Sequence, residues 1–326
     1  MKAIVQDRYG APDALLLRDV DRPAPADDEV LVRVQAASVN ALDWHYMRGD
    51  PYLARLGMGL GGPKQKIRGR DFAGTVEAVG PDVADLRPGD EVFGDADGAF
   101  AEYVRAPAGQ VERKPAGLTF EQAAALPMAG RTALAGLRDV GQAGTGQRVL
   151  VNGASGGVGT FAVQMGKVLG AEVTAVCSTR NVDLVRSLGA AEVIDYTEAD
   201  FTRGEQRYDV VFDLVGNHSL TALRRVLTAT GTLVLSGGGV SRGGSLFGPM
   251  GLIIRAQLAA RFVRGQRIHV LQTPDTKGLL TALKELTEAG EVTPAIDRTY
   301  KLAEVPDAIR YLETEHARAK VIVTVP

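Results

Sequence analysis

Apolar runs and helical stretches alternate through the middle of the chain. Val149–Val151 is a short apolar run that ends in glycines, and a helical pattern extends from Val158 to Leu169. Further strand-like runs follow at spacings that leave room for crossover helices, at residues 172–176, 193–194, 209–212 and 232–235. Repeated strand–helix units predict a parallel, doubly wound sheet, and therefore an α/β fold.

The regions on either side have a different pattern. Before residue 115, short β-rich runs such as Val30–Gln35 and Phe72–Val79 are separated by proline and glycine, which predicts a barrel-like β unit. After about residue 262 the pattern is mixed again and ends on an apolar strand. We therefore predict an inner domain, residues 123–262, inserted into a discontinuous outer domain made of residues 1–122 and 263–326.

Charge and composition exclude several classes of protein. The 326 residues carry 37 Lys and Arg against 39 Asp and Glu, so the formal net charge is −2. This balance gives no electrostatic reason to expect a nucleic-acid or membrane partner. The N-terminus reaches charged residues too early for a signal peptide, and the longest uncharged run, residues 149–166, is too rich in glycine and polar residues for a membrane span. The single cysteine, Cys177, excludes an internal disulfide framework, so we predict a cytoplasmic location.

The glycine-rich stretch Asn152–Gly159 lies between a predicted strand and a predicted helix. It follows the dinucleotide fingerprint, in which three glycines allow a tight turn, close approach of a pyrophosphate and packing of the helix on the strand. Ala154, Gly156 and Gly159 take the three glycine positions. The alternative is a plain tight turn. The predicted cofactor contacts in this stretch are Ser155, Gly156, Gly157 and Val158.

The end of the second strand distinguishes the two nicotinamide cofactors. An NAD site normally has an acidic residue there, which binds the ribose hydroxyls. This chain has Ser178 and Arg180 instead, and an arginine can form paired hydrogen bonds with a 2′-phosphate. The pattern therefore favours NADPH. The alternative is that Arg180 is a solvated arginine in the first turn of a helix.

The chain resembles a known family at this point. The stretches Val149–Asn181, Asp209–Gly216 and Ser38–Asp43 are similar to the medium-chain dehydrogenase/reductase superfamily, and within it to the zinc-free quinone-oxidoreductase branch that includes zeta-crystallin. The resemblance implies a GroES-like outer domain, a Rossmann inner domain and a cofactor bound in the cleft between them.

The same resemblance predicts that no zinc is bound. Zinc-bearing relatives have a cysteine, a histidine and a cysteine at the positions that correspond to Asn40, Arg70 and Met128. None of these three side chains is a usual zinc ligand, and the four histidines of the chain are scattered without metal-ligand spacing.

The resemblance also implies site residues outside the glycine-rich stretch. For catalysis it points to Asn40 as a hydrogen-bond donor and to Tyr52, which is displaced by one position from a tyrosine of enoyl-thioester reductases; water or a ribose hydroxyl is the alternative proton source. The further expected cofactor contacts are Asn40, Thr132, Ser236, Gly237 and Gly238 near the nicotinamide, Tyr196 near the 2′-phosphate, Val215 near the adenosine and Lys320 over the phosphates.

Two segments bear on partners. The strand-like run Arg267–Leu271 is predicted at the edge of the inner sheet, where its backbone groups could pair with a second copy, so we predict a homodimer. The segment Arg242–Arg267 carries five arginines and no acid, with Leu258 and Phe262 at helical spacing, which indicates a helix packed on one face. Its arginines form either a solvated basic face or a handle for an anion.

These observations lead to a prediction of function. Hydride addition to a simple ketone creates a localised alkoxide, which zinc-bearing relatives stabilise by coordination. Without zinc, a substrate whose product anion is delocalised is the better match. We predict an NADPH-dependent, zinc-independent reductase that transfers hydride to a small electrophilic substrate, a quinone or an α,β-unsaturated carbonyl compound. The alternatives are an enoyl-thioester reductase and a non-enzymatic NADPH-binding sensor or structural protein.

Overall fold

The computed structural model describes residues 1–237, 244, 246, 248, 250–272, 277–315 and 317–326. The strands in these residues are β1 (Lys2–Val5), β2 (Leu16–Asp19), β3 (Glu29–Val39), β4 (Asp71–Val79), β5 (Glu91–Asp95), β6 (Tyr103–Pro107), β7 (Val111–Arg113), β8 (Arg148–Asn152), β9 (Glu172–Cys177), β10 (Glu192–Asp195), β11 (Tyr208–Asp213), β12 (Leu227–Leu235), β13 (Arg267–Val270), β14 (Ile296–Lys301) and β15 (Lys320–Thr324).

The α-helices are joined by short turns, several of which are single 3₁₀ turns. In the described residues they are α1 (Ala41–Arg48), α2 (Arg55–Met58), α3 (Phe120–Ala124), α4 (Pro127–Leu134), α5 (Gly157–Val168), α6 (Val182–Ser187), α7 (Leu220–Arg225), α8 (Met250–Ala260), α9 (Lys277–Glu288) and α10 (Val305–Thr314). None of the helices in the described part of the chain is long and apolar enough to span a membrane.

The inner sheet has six parallel strands in the order β10-β9-β8-β11-β12-β13. Its central strands are almost continuously apolar and buried, and Leu150, Val211 and Leu233 belong to one core cluster. Strands of this kind are typical of parallel sheets covered on both faces. Strand order reverses at β8, so the carboxyl end of β8 is the topological switch point of the sheet. The predicted doubly wound α/β domain is confirmed.

The outer sheet is mainly antiparallel, in the order β14-β15-β3-β4-β5-β7, with β6 paired to β3 and with β1 and β2 forming a separate two-stranded sheet. The register places Ser38 of β3 opposite Asp71 of β4, and Val39 opposite Val321 of β15. Three distant stretches of sequence therefore meet at one end of β3.

The chain forms two compact units, which we call the outer unit (1–129, 242–246 and 275–326) and the inner unit (130–241 and 247–274). The predicted return to the outer domain at residue 263 is too early. β13 pairs in parallel with β12, so residues 267–270 lie at the edge of the inner sheet, as the separate prediction for this strand stated. The predicted packing of Leu258 and Phe262 is wrong, since these side chains are 55% and 84% exposed.

Candidate functional site

The loop after β8 is a tight turn that requires glycine at two positions. Gly153 has a φ of +88°, and a Cβ atom on it would lie 2.7 Å from Cγ2 of Val215. A Cβ on Gly159 would lie 2.2 Å from the carbonyl oxygen of Gly153. Ala154 is buried, and its N–H donates to the carbonyl of Val176 at 3.0 Å. The left-handed turn residue is thus Gly153, which is why alanine is accepted at the first position of the fingerprint.

Helix α5 begins directly after this turn, with Gly156 as its N-cap residue. The first amides of a helix, here those of Gly157 and Val158, have no carbonyl partner within the helix. Together with the helix dipole they favour an anion at this end. The glycine turn and the first amides of α5 therefore fit the pyrophosphate of a dinucleotide at the switch point of the sheet.

Asn181 connects two of the predicted cofactor residues. It is 3% exposed, and its Nδ2 donates to Oγ of Ser155 at 3.0 Å and to Oγ of Ser178 at 3.2 Å. Its Oδ1 is buried and accepts no hydrogen bond from the described residues. An unsatisfied buried acceptor is costly to the folded protein. Sequence reasoning missed Asn181, because the link between the two serines depends on the tertiary packing of β8 against β9.

The residues predicted to bind the 2′-phosphate lie together. Asp195 is opposite Cys177 in the parallel register of β9 and β10, and the N–H of Tyr196 donates to the carbonyl of Cys177 at 3.0 Å. Ser178, Arg180 and Tyr196 therefore follow two adjacent strand ends, and Arg180 and Tyr196 are exposed. This group combines a guanidinium with two hydroxyls, which suits a phosphate monoester.

One carboxylate lies beside this group. Asp195 is the last residue of β10 rather than of β9, and its Oδ1 accepts hydrogen bonds from the N–H and the hydroxyl of Thr197 at 2.9 and 2.8 Å. Hydrogen bonds from Thr179 and Thr197 lower the pKa of Asp195, so it is ionised at neutral pH. Its Oδ1 atom is thus already used within the protein.

Asp213 orders the loop after β11. It is fully buried, and its Oδ1 accepts hydrogen bonds from Nδ2 of Asn152 at 2.8 Å and from the N–H groups of Val215 and Gly216, both at 3.1 Å. These bonds fix the predicted adenosine contact Val215 against Gly153. Sequence reasoning missed Asp213, since one acid at the end of an apolar strand does not by itself indicate a function.

Of the residues predicted near the nicotinamide, Thr132, Ser236 and Gly237 belong to the inner unit, whereas Asn40 belongs to the outer unit. Thr132 is in α4 and is 8% exposed. Ser236 and Gly237 follow β12, where the N–H of Ser236 donates to the carbonyl of Asp213 at 3.0 Å and Gly237 has a φ of +68°. Gly238 lies outside the described residues.

The outer unit contains a buried polar cluster around Asp71, which we call the Asp71 cluster and define as Ser38, Asn40, Asp71 and Lys320. Oδ2 of Asp71 accepts hydrogen bonds from Oγ of Ser38 and from Nδ2 of Asn40, both at 3.0 Å. Nζ of Lys320 lies 2.6 Å from Oδ1 of Asn40 and 3.5 Å from Oδ2 of Asp71. The charged members Asp71 and Lys320 are 0% and 2% exposed. The cluster is therefore a desolvated ion pair bridged by a carboxamide.

This geometry defines the contacts of Lys320 and Asn40 within the outer unit. The ammonium of Lys320 is enclosed by protein acceptors, including the carbonyl of Val39 at 3.4 Å. Its contact with the cofactor phosphates stays a prediction. Nδ2 of Asn40 donates to Asp71 and, at 3.4 Å, to the carbonyl of Ser38. A substrate oxygen would have to replace the longer of these two bonds for Asn40 to act as its donor.

Asp43 supports the same region from α1. Its Oδ2 accepts the N–H of Asn40 at 2.8 Å, which closes the N-terminus of the helix. Burial raises the pKa of Asp43 to about 7, and the charge of Asp71 acts in the same direction. Burial also lowers the pKa of Lys320, against the opposing effect of Asp71.

Tyr52 lies apart from these contacts. It is 45% exposed in a short turn, and the guanidinium of Arg55 lies 4.6 Å from the centre of its ring. No hydrogen bond joins Tyr52 to the Asp71 cluster in the described residues. Its predicted role as a proton donor stays a prediction.

The three positions that correspond to zinc ligands have protein partners. Asn40 and the N–H of Met128, which donates to Oδ1 of Asp71 at 3.2 Å, meet at the Asp71 cluster. Nη2 of Arg70 donates to Oδ2 of Asp95 at 2.9 Å. Across the residues that the structure describes, no group of three or more His, Cys, Asp or Glu side chains is arranged to hold a metal ion. Zinc independence nevertheless stays a prediction.

The known proteins to which the chain is similar are dehydrogenases and oxidoreductases. Residues 26–116 match the alcohol dehydrogenase GroES-like domain, and residues 188–323 match the zinc-binding dehydrogenase family. The chain is 34% identical to a mitochondrial NAD(P)H oxidoreductase of Homo sapiens, over 100% of this chain and 89% of that protein. It is also 34% identical to the chloroplastic NADPH-dependent alkenal/one oxidoreductase of Arabidopsis thaliana, over 99% of this chain and 79% of that protein. The solved quinone oxidoreductase of Coxiella burnetii superposes with a TM-score of 0.86 at 31% identity, covering 100% and 99% of the two chains.

Proposed function

Because the chain belongs to the medium-chain dehydrogenase/reductase superfamily and is an NAD(P)H-dependent oxidoreductase, we propose that it uses NADPH to reduce quinones or α,β-unsaturated carbonyl compounds without a metal ion. The relatives named for alkenals, enones and quinones support this substrate class. The two alternatives, an enoyl-thioester reductase and a non-enzymatic NADPH-binding protein, are not favoured by these relatives.

The observation that carries the proposal is the Asp71 cluster. It contains Asn40, one of the positions that correspond to zinc ligands, and it places the ammonium of Lys320 2.6 Å from the carboxamide oxygen of Asn40. An ammonium donating to the carboxamide oxygen polarises the amide, which makes its N–H groups better donors. The cluster can therefore stabilise an anion through a neutral carboxamide donor and, at most, a single positive charge.

Stabilisation by such donors suits a product anion whose charge is delocalised. A single preorganised donor to an oxyanion is worth about 2.7–4 kcal/mol. Reduction of an enone or a quinone produces an enolate or a phenolate, whose charge is spread by conjugation, whereas reduction of a simple ketone produces a localised alkoxide. We therefore expect conjugated substrates to react and saturated ketones to react poorly.

The residues of the inner unit support a dinucleotide, and specifically one with a 2′-phosphate. When bound, reduced nicotinamide would supply the hydride. The turn at Gly153 and the first amides of α5 would hold the pyrophosphate, and Ser178, Arg180 and Tyr196 would bind the 2′-phosphate. Asp195 opposes this preference by its charge, but its hydrogen bonds to Thr179 and Thr197 hold it within the protein.

Assembly and location belong to the same proposal. β13 lies at the edge of the inner sheet, and such an edge can pair with its copy across a two-fold axis, which supports a homodimer. Light scattering at micromolar concentration should give twice the 34.5 kDa of the chain, and a monomer would refute the dimer. A cytoplasmic location also stays a prediction.

The proposed activity is tested by NADPH consumption against a panel of substrates. We expect turnover with 1,4-naphthoquinone or with 3-buten-2-one, no loss of rate with 1,10-phenanthroline, and little rate with cyclohexanone. Crotonyl-CoA in the same panel tests the enoyl-thioester alternative. Turnover confined to crotonyl-CoA, or binding of NADPH without turnover on any member, would contradict the proposal.

A further inference from the structure

The stretch 214–274 is strongly basic. It contains seven arginines and no aspartate or glutamate, although the whole chain has a formal net charge of −2. The stretch includes helices α7 and α8 and strands β12 and β13 of the inner unit. The balance of charge over the whole chain, which gave no reason to expect a membrane partner, therefore conceals a local excess of positive charge on one part of the molecule.

Helix α8 is apolar on two opposite faces. One face packs on the core cluster of the inner sheet, in which Ala256 is fully buried and Ala259 packs against the same cluster as Ile268 of β13. The other face carries Ile254 and Leu258, one helical turn apart, which are 39% and 55% exposed. The solvent face of a helix is normally polar. The outward face of α8 is therefore open to an apolar partner.

The turn after α8 extends this outward face. The N–H of Phe262 donates to the carbonyl of Ala259 at 2.9 Å, so the chain still follows a helical turn at Phe262. The side chain of Phe262 is 84% exposed, the highest value among the large exposed hydrophobic residues that the structure describes. A spacing of four residues places Ile254, Leu258 and Phe262 on the same side of the helix. We call these three side chains the apolar stripe.

Arginines border the apolar stripe. Arg255 and Arg261 lie three residues before and three residues after Leu258, so they are its neighbours on the helix surface. Arg255, Arg261 and the following Arg264 are exposed, and none of them forms an ion pair with a described residue. An apolar line bordered by free cations is typical of a helix that lies in the surface of an anionic bilayer, with apolar side chains among the acyl chains and cations among the headgroups.

A second copy of the chain is less suited to this face. Two-fold pairing through the apolar stripe would bring Arg255 and Arg261 of one copy close to the same arginines of the other. No acid within residues 214–274 could separate these like charges, which oppose each other across an interface. A layer of anionic lipid provides both properties that the face requires, negative charge at its surface and an apolar interior next to it.

We propose that α8 and the turn after it attach the protein to the surface of an anionic lipid bilayer. The apolar stripe inserts between the headgroups, and the flanking arginines contact the lipid phosphates. The attachment is peripheral, since it uses one face of a single short helix. It does not rest on the proposed reductase activity.

The test is co-sedimentation of the full-length protein with vesicles of phosphatidylcholine, with or without about 30% phosphatidylglycerol. The wild type should bind the anionic vesicles at least ten-fold more tightly than the neutral ones. Leu258→Gln with Phe262→Gln should weaken binding to the anionic vesicles at least ten-fold, because the stripe loses its two most exposed side chains. Arg255→Gln with Arg261→Gln should weaken it at least five-fold through the loss of positive charge.

The matched control is Leu56→Gln with Leu60→Gln. These two leucines of the outer unit are 66% and 74% exposed, so the change removes similarly exposed apolar side chains from a different region. It should leave binding to the anionic vesicles within three-fold of the wild type. All substituted side chains are exposed, so the variants should fold, which circular dichroism checks; if the Leu258 and Phe262 double variant does not fold, Leu258→Gln alone decides, with an expected loss of at least three-fold.

Three vesicle results would overturn the proposal: no binding to either kind of vesicle, equal binding to both, or a loss in the Leu258 and Phe262 variant no larger than in the Leu56 and Leu60 control. Light scattering provides a fourth such result. If the Leu258 and Phe262 substitutions lower the mass of the particle in solution, a second copy covers the stripe instead of lipid. No step of this test uses NADPH turnover, so its failure leaves the proposed reductase activity intact, and failure of the NADPH assay leaves the vesicle result intact.

Discussion

The glycine loop of the inner unit and the Asp71 cluster of the outer unit differ in how they accommodate charge. The loop is one continuous stretch, Asn152–Gly159, that offers backbone amides and no charged side chain. The Asp71 cluster joins side chains from β3, β4 and β15 and buries a full ion pair. The loop depends on the space that glycine leaves, whereas the cluster depends on electrostatic balance. Substitutions in the loop should therefore cause steric clashes, whereas substitutions in the cluster should leave a buried charge unbalanced.

The largest effect is expected from unbalancing the Asp71 cluster. Lys320→Met would leave the carboxylate of Asp71 buried and without its cation, which should lower the free energy of unfolding by about 3–5 kcal/mol. Urea denaturation measures this loss. The double variant Lys320→Met with Asp71→Asn should recover most of it, because no charge then stays buried.

An exposed pair provides the control for this prediction. Lys2 and Asp19 form an ion pair at 2.6 Å with side chains 49% and 75% exposed, so Lys2→Met should lower the free energy of unfolding far less than Lys320→Met. If Lys320→Met costs no more than Lys2→Met, the Asp71 cluster is not a desolvated ion pair.

A smaller effect is expected from the predicted phosphate group of the inner unit. Arg180→Ala should weaken NADPH binding by about 1.5–3 kcal/mol and leave NADH binding nearly unchanged, since only NADPH carries the 2′-phosphate. Quenching of tryptophan fluorescence or calorimetry measures both affinities. Equal affinity of the wild type for the two cofactors would contradict the assignment. Asp183→Ala, a change of charge in the next helix, is the control.

Next in size is the steric requirement of the loop. Gly159→Ala would place a methyl group 2.2 Å from the carbonyl oxygen of Gly153, so the turn must shift. We expect a loss of about 1–3 kcal/mol in unfolding free energy together with weaker NADPH binding. Gly144→Ala is the control, because a Cβ there meets no atom within 4 Å and should change neither quantity. Wild-type binding by Gly159→Ala would disprove the role of the glycine turn.

The smallest effect concerns pH. Burial raises the pKa of Asp43 to about 7 from its ordinary value of 3.8, so between these values the folded protein holds a proton that the unfolded chain has released. Stability from this group is therefore present below pH 4 and is lost as pH rises towards 7. Asp43→Asn should remove this slope, which amounts to about 1 kcal/mol between pH 5 and pH 6. Identical pH slopes of wild type and variant in urea denaturation would refute it.

The contrast between the glycine loop and the Asp71 cluster also explains which features could be predicted from the sequence. The strands around the loop and the turn at Gly153 are specified by nearby residues, and the structure shows both. The binding of a 2′-phosphate by Ser178 and Arg180 stays a prediction. Asp71 and its ion pair with Lys320 were missed, because their contact depends on the pairing of β3 with β4 and of β3 with β15 across some 250 residues of sequence.

Two further differences between the sequence-based predictions and the structure have similar causes. The predicted domain boundary at residue 263 is too early because the regular strand–helix alternation ends before β13, the last strand of the inner sheet, is reached. Asn181 and Asp213 were missed because each acts through hydrogen bonds to a neighbouring loop rather than through a motif. Short-range patterns thus predicted the glycine turn of the inner unit, whereas the Asp71 cluster of the outer unit required the tertiary structure.

The central claim is that hydride goes from NADPH to a conjugated carbon without a metal ion, and isotope transfer tests it most directly. The protein is incubated with 3-buten-2-one and NADPH deuterated at C4 on one face and then on the other, with and without 1,10-phenanthroline, and the products are analysed by mass spectrometry and NMR. We predict 2-butanone with one deuterium at the former β carbon, from one of the two cofactors and at the same rate with chelator. Deuterium on the carbonyl carbon of 3-buten-2-ol, or a reaction abolished by the chelator, would contradict the account.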